Sequence, residues 1–255
     1  MLYRVEGIVI RSVDYGEGNV IVTLFAGDHG KIGVMVRGAK KPKSRHAAVT
    51  QLYTYGEYVV FQSSAGSLAT LNQGELLDAF GGIRSDLRRS AYAAYFCELT
   101  DRLVPDGEAS SYLFEQLKAA LEALSSGKDS QIVAFLLELK LFQFAGVSPV
   151  VEACAHCGRT PEPDEPLGWS AAAGGLLCAR CAGGYADRLP LPAPAAKLLP
   201  VLQRADLRRI GDVSVKPATK QALKQALRLW MDRHADVRLK TRSVLEQIES
   251  VYDDA

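Results

Sequence analysis

The chain has 255 residues, 48% of them apolar and 23% charged, with a formal net charge of +1. That length exceeds the usual span of one hydrophobic core, so two or three domains of ordinary globular composition are expected. No apolar run approaches the roughly 20 residues of a bilayer-spanning helix, and Met1 leads into Leu2, Tyr3, Arg4, Val5 and Glu6 without a signal-like apolar region. A soluble, cytosolic protein with no membrane partner is the expectation.

Residues 1–80 read as strands. Tyr3–Val13, Asn19–Ala26, Lys31–Gly38, Leu52–Gln62 and Ser67–Phe80 are short, rich in Val, Ile, Leu, Tyr or Phe, and separated by turn chemistry at Asp14–Gly18, Gly27–Gly30 and Ser63–Gly66. Val20, Val22 and Leu24 alternate with Ile21, Thr23 and Phe25, a half-buried strand pattern. Such a series, with its longest connection between the third and fourth strands, fits a small closed barrel such as an OB-fold. An SH3-like barrel would give nearly the same string.

From residue 83 the period becomes helical. Ile83, Leu87, Ala91, Ala94, Tyr95, Leu99 and Leu103 recur at three- and four-residue steps up to Pro105. A second helix follows Ser110 or Ser111 as N-cap and ends near Gly127. A third, Asp129 to Gly146, is apolar on nearly every side and so expected to be buried. Helices return over roughly 194–205, 217–235 and 239–252, where Leu223, Leu227, Trp230 and Met231, then Leu245, Ile248 and Tyr252, read as core stripes. Residues 148–190 interrupt this pattern with Cys, Pro and Gly. The fold class is therefore α+β and multidomain: an OB-type barrel over 1–80, a helical domain over 81–147 and 191–255, and a zinc-ribbon module over 148–190 inserted in it.

Within that insert, Cys154-Ala155-His156-Cys157 is followed by Cys178-Ala179-Arg180-Cys181. Two thiolates separated by two residues can face one ion, and two such pairs match a closed tetrahedral zinc site. Leu167, Trp169, Leu176 and Leu177 around Ala173-Gly174-Gly175 suit a short hairpin between the pairs. Two disulfides would need an oxidising compartment, a redox pair usually sits singly at a helix start, and catalytic zinc keeps an open position. His156 is a rival ligand that four cysteines do not require. Cys97, on the first helix, reads as a small buried apolar residue.

A second signal is Arg37-Gly38-Ala39-Lys40-Lys41-Pro42-Lys43-Ser44-Arg45-His46. Five of the nine residues from Arg37 to Arg45 are basic and none is acidic. On a mobile or extended barrel loop these charges would reward phosphate contact through counterion release; a merely solvated loop is the alternative. Tyr53, Tyr55 and Tyr58 downstream are candidates for stacking on bases, although alternation assigns some of them to the core. Lys216, Lys220, Lys224 and Arg228 fall on one helical face beside Trp230, which could be a solvated face, an extension of a nucleic-acid track or a dock for an acidic peptide. No GxxxxGK[ST], GxSxG or HExxH pattern is present. Nothing proposes a reaction, and a non-enzymatic role is expected.

These pieces resemble the bacterial recombination mediator family RecO. The stretch VEGIVIRSVDYGEGNVIVTLFAGDHGKIGVMVRGAKKPKSR is similar to the family's opening pattern at Glu17, at His29-Gly30-Lys31, and at Arg37-Gly38-Ala39 with Ser44-Arg45. The likeness continues through the helical middle and the two cysteine pairs to LKTRSVLEQI, Leu239 to Ile248. At Gly18-Asn19 the family more often has a small polar residue and Asp. The resemblance implies an OB-fold, a helical domain and a zinc module, a metal site that not every member keeps. It also implies binding of single- and double-stranded DNA, strand annealing and partnership with RecR. RecA would be loaded on strands coated by single-strand-binding protein, whose acidic C-terminal tail is contacted. The basic loop and ribbon alone would equally permit a zinc-ribbon transcription or RNA-binding module, and a metal-dependent hydrolase is a more distant alternative.

Overall fold

The computed structural model describes residues 1–64, 66–162, 165–235 and 237–253, with side chains to Val251. Ala65 of the expected Ser63–Gly66 turn and the Tyr252 side chain of the expected C-terminal stripe lie outside the described residues. The described chain forms two compact units, residues 1–130 with 239–255, and residues 131–238.

The first unit opens with five strands, β1 (Leu2–Tyr15), β2 (Asn19–Ala26), β3 (Gly30–Val36), β4 (Tyr55–Phe61) and β5 (Ala69–Asp78). They close into a barrel in the order β1-β2-β3-β5-β4, with β3 and β5 parallel. This crossover is the OB arrangement, which the strand string alone did not separate from an SH3-like barrel. Closure depends on β1, whose first half pairs with β4 and whose second half pairs with β2. The register shift between Val9 and Arg11 provides the bend, as expected of a bulge at a barrel corner. Inside lie the alternating side chains Val20, Val22, Leu24, Val34, Val36 and Tyr58. Their neighbours Ile8, Phe25 and Tyr55 point outward yet are buried, because Phe114 stands against both Phe25 and Tyr55 at 6.3 and 6.2 Å.

Phe114 belongs to α3 (Ser111–Ser125), whose N-cap is Ser110: its hydroxyl accepts the Leu113 N–H at 3.1 Å. The helix expected to run on from Ile83 is instead two, α1 (Gly81–Arg84) and α2 (Leu87–Leu103). Asp86 breaks it: its extended backbone and carboxylate cap the Arg89 N–H at 2.9 Å. Leu87, a member of that helical period, sits in the first turn after that cap and is 63% exposed. The chain returns to this unit in α8 (Lys240–Asp253), which packs on α2. Glu98 caps α8 through Lys240 and Thr241 N–H at 3.1 and 2.8 Å, and buried Glu249 accepts a hydrogen bond from the Tyr92 hydroxyl.

The second unit contains α4 (Ser130–Phe144) from its second residue, β6 (Leu167–Ser170), β7 (Gly175–Leu177), α5 (Ala179–Ala182), β8 (Leu189–Leu191), α6 (Ala193–Arg204) and α7 (Pro217–His234). Every residue of α4 from Ile132 to Phe142 is buried, Glu138 and Lys140 included; Lys140 donates to the Gln203 carbonyl at 2.6 Å. The strands form a sheet of order β7-β6-β8, one strand more than the expected hairpin. Trp230 of α7 meets Trp169 of β6 edge-on at 5.8 Å and donates to the Val147 carbonyl at 2.9 Å. It is 3% exposed, so it cannot wall the peptide groove that its place beside the Lys220 face suggested. Among the described residues no helix is long and apolar enough to cross a membrane.

Candidate metal centre and nucleic-acid surface

The two cysteine pairs meet. Sγ atoms of Cys154, Cys157, Cys178 and Cys181 all lie within 4.8 Å of one another, and Cys157 and Cys178 are 3.9 Å apart. Four sulfurs around one ion at about 2.3 Å would stand about 3.8 Å from each other, so the cage fits a thiolate-bound metal. Each knuckle is shaped locally. Gly158, at φ +72°, closes a turn in which its N–H reaches the Cys154 carbonyl at 2.8 Å. Cys178 opens α5, and the N–H groups of Cys181 and Ala182 return to its carbonyl at 3.1 and 3.0 Å. Cys154 and Cys178 are buried, Cys181 is half-buried and Cys157 exposed.

Sulfurs this close cannot all ionise without a cation. Burial works to raise the Cys178 thiol, yet the Cys181 N–H and the Arg159 guanidinium hold it down to about 6. Cys181 is pushed up to about 12, by burial first and then by its sulfur neighbours. A bound cation would relieve that opposition by favouring all four thiolates at once. His156 is engaged elsewhere, its Nδ1 2.8 Å from the Tyr185 hydroxyl, and is not in the cluster. Cys97 is fully buried, as expected, and burial pushes its thiol up to about 12.

Arg37, Lys40, Lys41, Lys43 and Arg45 are brought together on the connection after β3, all five exposed. The segment is neither extended nor loosely attached. Successive turns join Lys41 N–H to the Gly38 carbonyl and Ser44 N–H to the Lys41 carbonyl at 3.1 and 3.0 Å. The β1–β2 hairpin holds the loop in place: Asn19 Oδ1 accepts the Gly38 N–H at 2.9 Å, and the Gly18 carbonyl accepts the Lys40 N–H at 3.1 Å. The same hairpin supplies an acid that the linear run lacks, because Asp14 pairs with Lys40. Both side chains are more than half exposed, so the pair is weak and leaves the cluster net basic.

The tyrosines stand differently. Tyr53, Tyr55 and Tyr58 are all buried. Tyr58 fills the barrel and donates to the Val49 carbonyl at 3.0 Å. Tyr55 lies under Lys118, 4.3 Å from the ring centre, and Tyr53 under Arg84 at 4.5 Å. None offers an open face to a base.

A different set does. Register places Arg11 opposite Thr23, Val13 opposite Ile21, and Tyr15 opposite Asn19; Ile21 in turn faces Met35. Directly paired residues project from one side of a sheet. This is the outer side of β1–β3, since Val20, Val22 and Leu24 fill the inside. Tyr15 is 53% and Val13 44% exposed, and Tyr15 stands on the hairpin that holds the basic loop. At the other end of the strands, Arg11, Thr23 and Gly33 line a groove of about 480 Å³ with Gln62, Gly66 and Ser67 of the β4–β5 loop. The alternation Arg11, Val13, Tyr15 is visible in the sequence, but the turn residues around it end the expected strand too early. Across the barrel, Glu6 pairs with Glu57 and Glu57 with Glu75, a row of carboxylates on β1, β4 and β5. Arg4 pairs with Glu57 at 3.1 Å and offsets part of that row, so the remaining carboxylates make this side less favourable to phosphate than the outer face of β1–β3.

Comparison with known proteins agrees with this architecture. The family model described as Recombination protein O N terminal matches residues 1–80, and Recombination protein O C terminal matches residues 84–243. The chain is 43% identical to the DNA repair protein RecO of Halalkalibacterium halodurans, over 98% of this chain and 97% of that one. It is 42% identical to that of Bacillus pumilus and 41% to that of Bacillus subtilis, each over 98% of this chain and 96% of the relative.

Proposed function

The chain belongs to the recombination protein O family, and on that premise we propose that it binds and anneals DNA in repair without catalysing a covalent step. The outer face of β1–β3 receives a single strand, with bases against Tyr15, Val13 and Met35 and phosphates against Arg11, Arg37, Lys40, Lys41, Lys43 and Arg45. The observation that carries this reading is the uneven barrel surface: an apolar face on β1–β3 beside a cluster of exposed cations, with carboxylates on β4, β5 and the first half of β1. Annealing needs no catalytic group. A basic surface holding two strands lowers their mutual repulsion and raises their local concentration.

The finer roles follow the family. The protein acts with RecR in the cytoplasm, at the nucleoid, to help load RecA onto single strands coated by single-strand-binding protein, after contacting that protein's acidic C-terminal tail. It also binds duplex DNA. DNA contact is assigned to residues 1–80, the helical region to 81–147 and 191–255, and the metal module to 148–190. Cys154, Cys157, Cys178 and Cys181 hold one Zn²⁺, which supplies a structural cross-link and leaves no position for substrate.

The test is annealing of complementary strands precoated with single-strand-binding protein, either intact or lacking its acidic tail. Acceleration with the intact coat and its loss on tail deletion are expected. Failure to accelerate annealing of the intact-coated strands would overturn the reading, and stronger binding to RNA than to single-stranded DNA would favour an RNA-binding module.

A further inference from the structure

Outside the four sulfurs, Arg159 is tied to both knuckles. Its carbonyl accepts the Cys154 N–H at 2.8 Å, at the start of the first. Its guanidinium is held beside the second through Glu165, and its charge acts on the Cys178 thiol there. Glu165 fixes that guanidinium, with Arg159 Nη2 lying 2.9 and 2.8 Å from its two oxygens. The same carboxylate reaches the N–H of Ala179, beside Cys178, at 3.3 Å. Both side chains are largely shielded, at 25% and 15% exposed, and the Arg159 Nε–H is buried without a hydrogen-bond partner. Burying an unpaired donor costs free energy, and anionic sulfurs beside the guanidinium would offset it.

Four thiolates on a divalent ion leave two negative charges. We infer that Arg159, oriented by Glu165, is a positioning residue for the thiolate metal site, where it offsets that charge and holds Cys178 as a ligand. This rests on the metal reading above, but its test separates the two. Hydrogen-bond partners one shell out from a metal typically change its affinity by about 10–100-fold. In the full chain, R159Q is expected to release Zn²⁺ to excess chelator by that order faster than wild type. R159K, which keeps the charge, recovers part of the retention. In Co²⁺-substituted protein, R159Q moves the sulfur-to-metal charge-transfer band to lower energy, because the thiolates lose a neighbouring cation and become more electron-rich.

An R159Q protein with wild-type release and an unmoved band overturns the inference. So does faster release with an unmoved band and no recovery in R159K, which would reduce Arg159 to packing. Should R159Q fail to fold, E165Q decides: a smaller change in the same direction supports the role, and none overturns it. If wild type itself binds neither Zn²⁺ nor Co²⁺, the metal reading fails first and the inference falls with it.

Discussion

At the scale of single residues, the cysteines and the tyrosines make opposite cases. Two cysteines at a two-residue spacing can face one ion, so the candidate four-thiolate cluster is legible from local sequence. Whether a tyrosine stacks on a base depends on what covers its ring. Tyr53 and Tyr55 are closed off by Arg84 and Lys118, which come from distant helices, and no spacing rule contains that. Tyr15 was concealed by the glycines beside it, although β1 runs through it before the turn begins. Replacing Tyr15 by Ala is expected to weaken single-stranded DNA binding by about 1–3 kcal/mol, the usual worth of a stacked base. The salt dependence should stay unchanged, because the tyrosine ring neutralises no phosphate. Fluorescence-anisotropy titrations at several salt concentrations check both parts. Asp14→Asn acts the other way: it releases Lys40 from its pair and should raise affinity modestly at low salt, with the gain fading as salt screens it.

Among the elements, barrel strands and helix ends were readable because alternation and capping are local. The break between α1 and α2 was not, since Asp86 falls where the apolar period continues. The docking of α8 was likewise invisible, because its N-cap comes from Glu98 of α2. That cap has a pH signature. Burial works to raise the Glu98 carboxyl, but the Thr241 and Lys240 hydrogen bonds outweigh it, so its pKa lies below the ordinary 4.5. Its contribution to stability is present above that value and is lost as pH falls through the depressed one. Wild type should therefore lose more stability than Glu98→Gln between about pH 5 and 3, measured by denaturant unfolding at each pH. The metal module should also fail as an element. Cys154→Ser or Cys178→Ser is expected to drop the metal content from about one per chain and to increase amide hydrogen exchange within 148–190 while the barrel stays protected. Unchanged metal content in both variants would contradict the four-thiolate site.

Across the whole molecule, net charge is nearly neutral but the barrel surface is uneven, with exposed cations after β3 and carboxylates on β4, β5 and the first half of β1; the proposed DNA contact rests on that unevenness. The basic run was legible because its five cations are close neighbours in sequence; its attachment to the β1–β2 hairpin and the glutamate row across β1, β4 and β5 required the closed register. The most direct measurement is the affinity for single-stranded DNA at several salt concentrations, for wild type and for K40A/K41A/K43A. The triple variant is expected to bind more weakly, to keep its thermal midpoint, and to flatten the dependence of log affinity on log salt by roughly 0.7 for each phosphate that the loop no longer neutralises. An unchanged slope and affinity would contradict the account and move the binding surface away from the barrel, to the basic C-terminal helices.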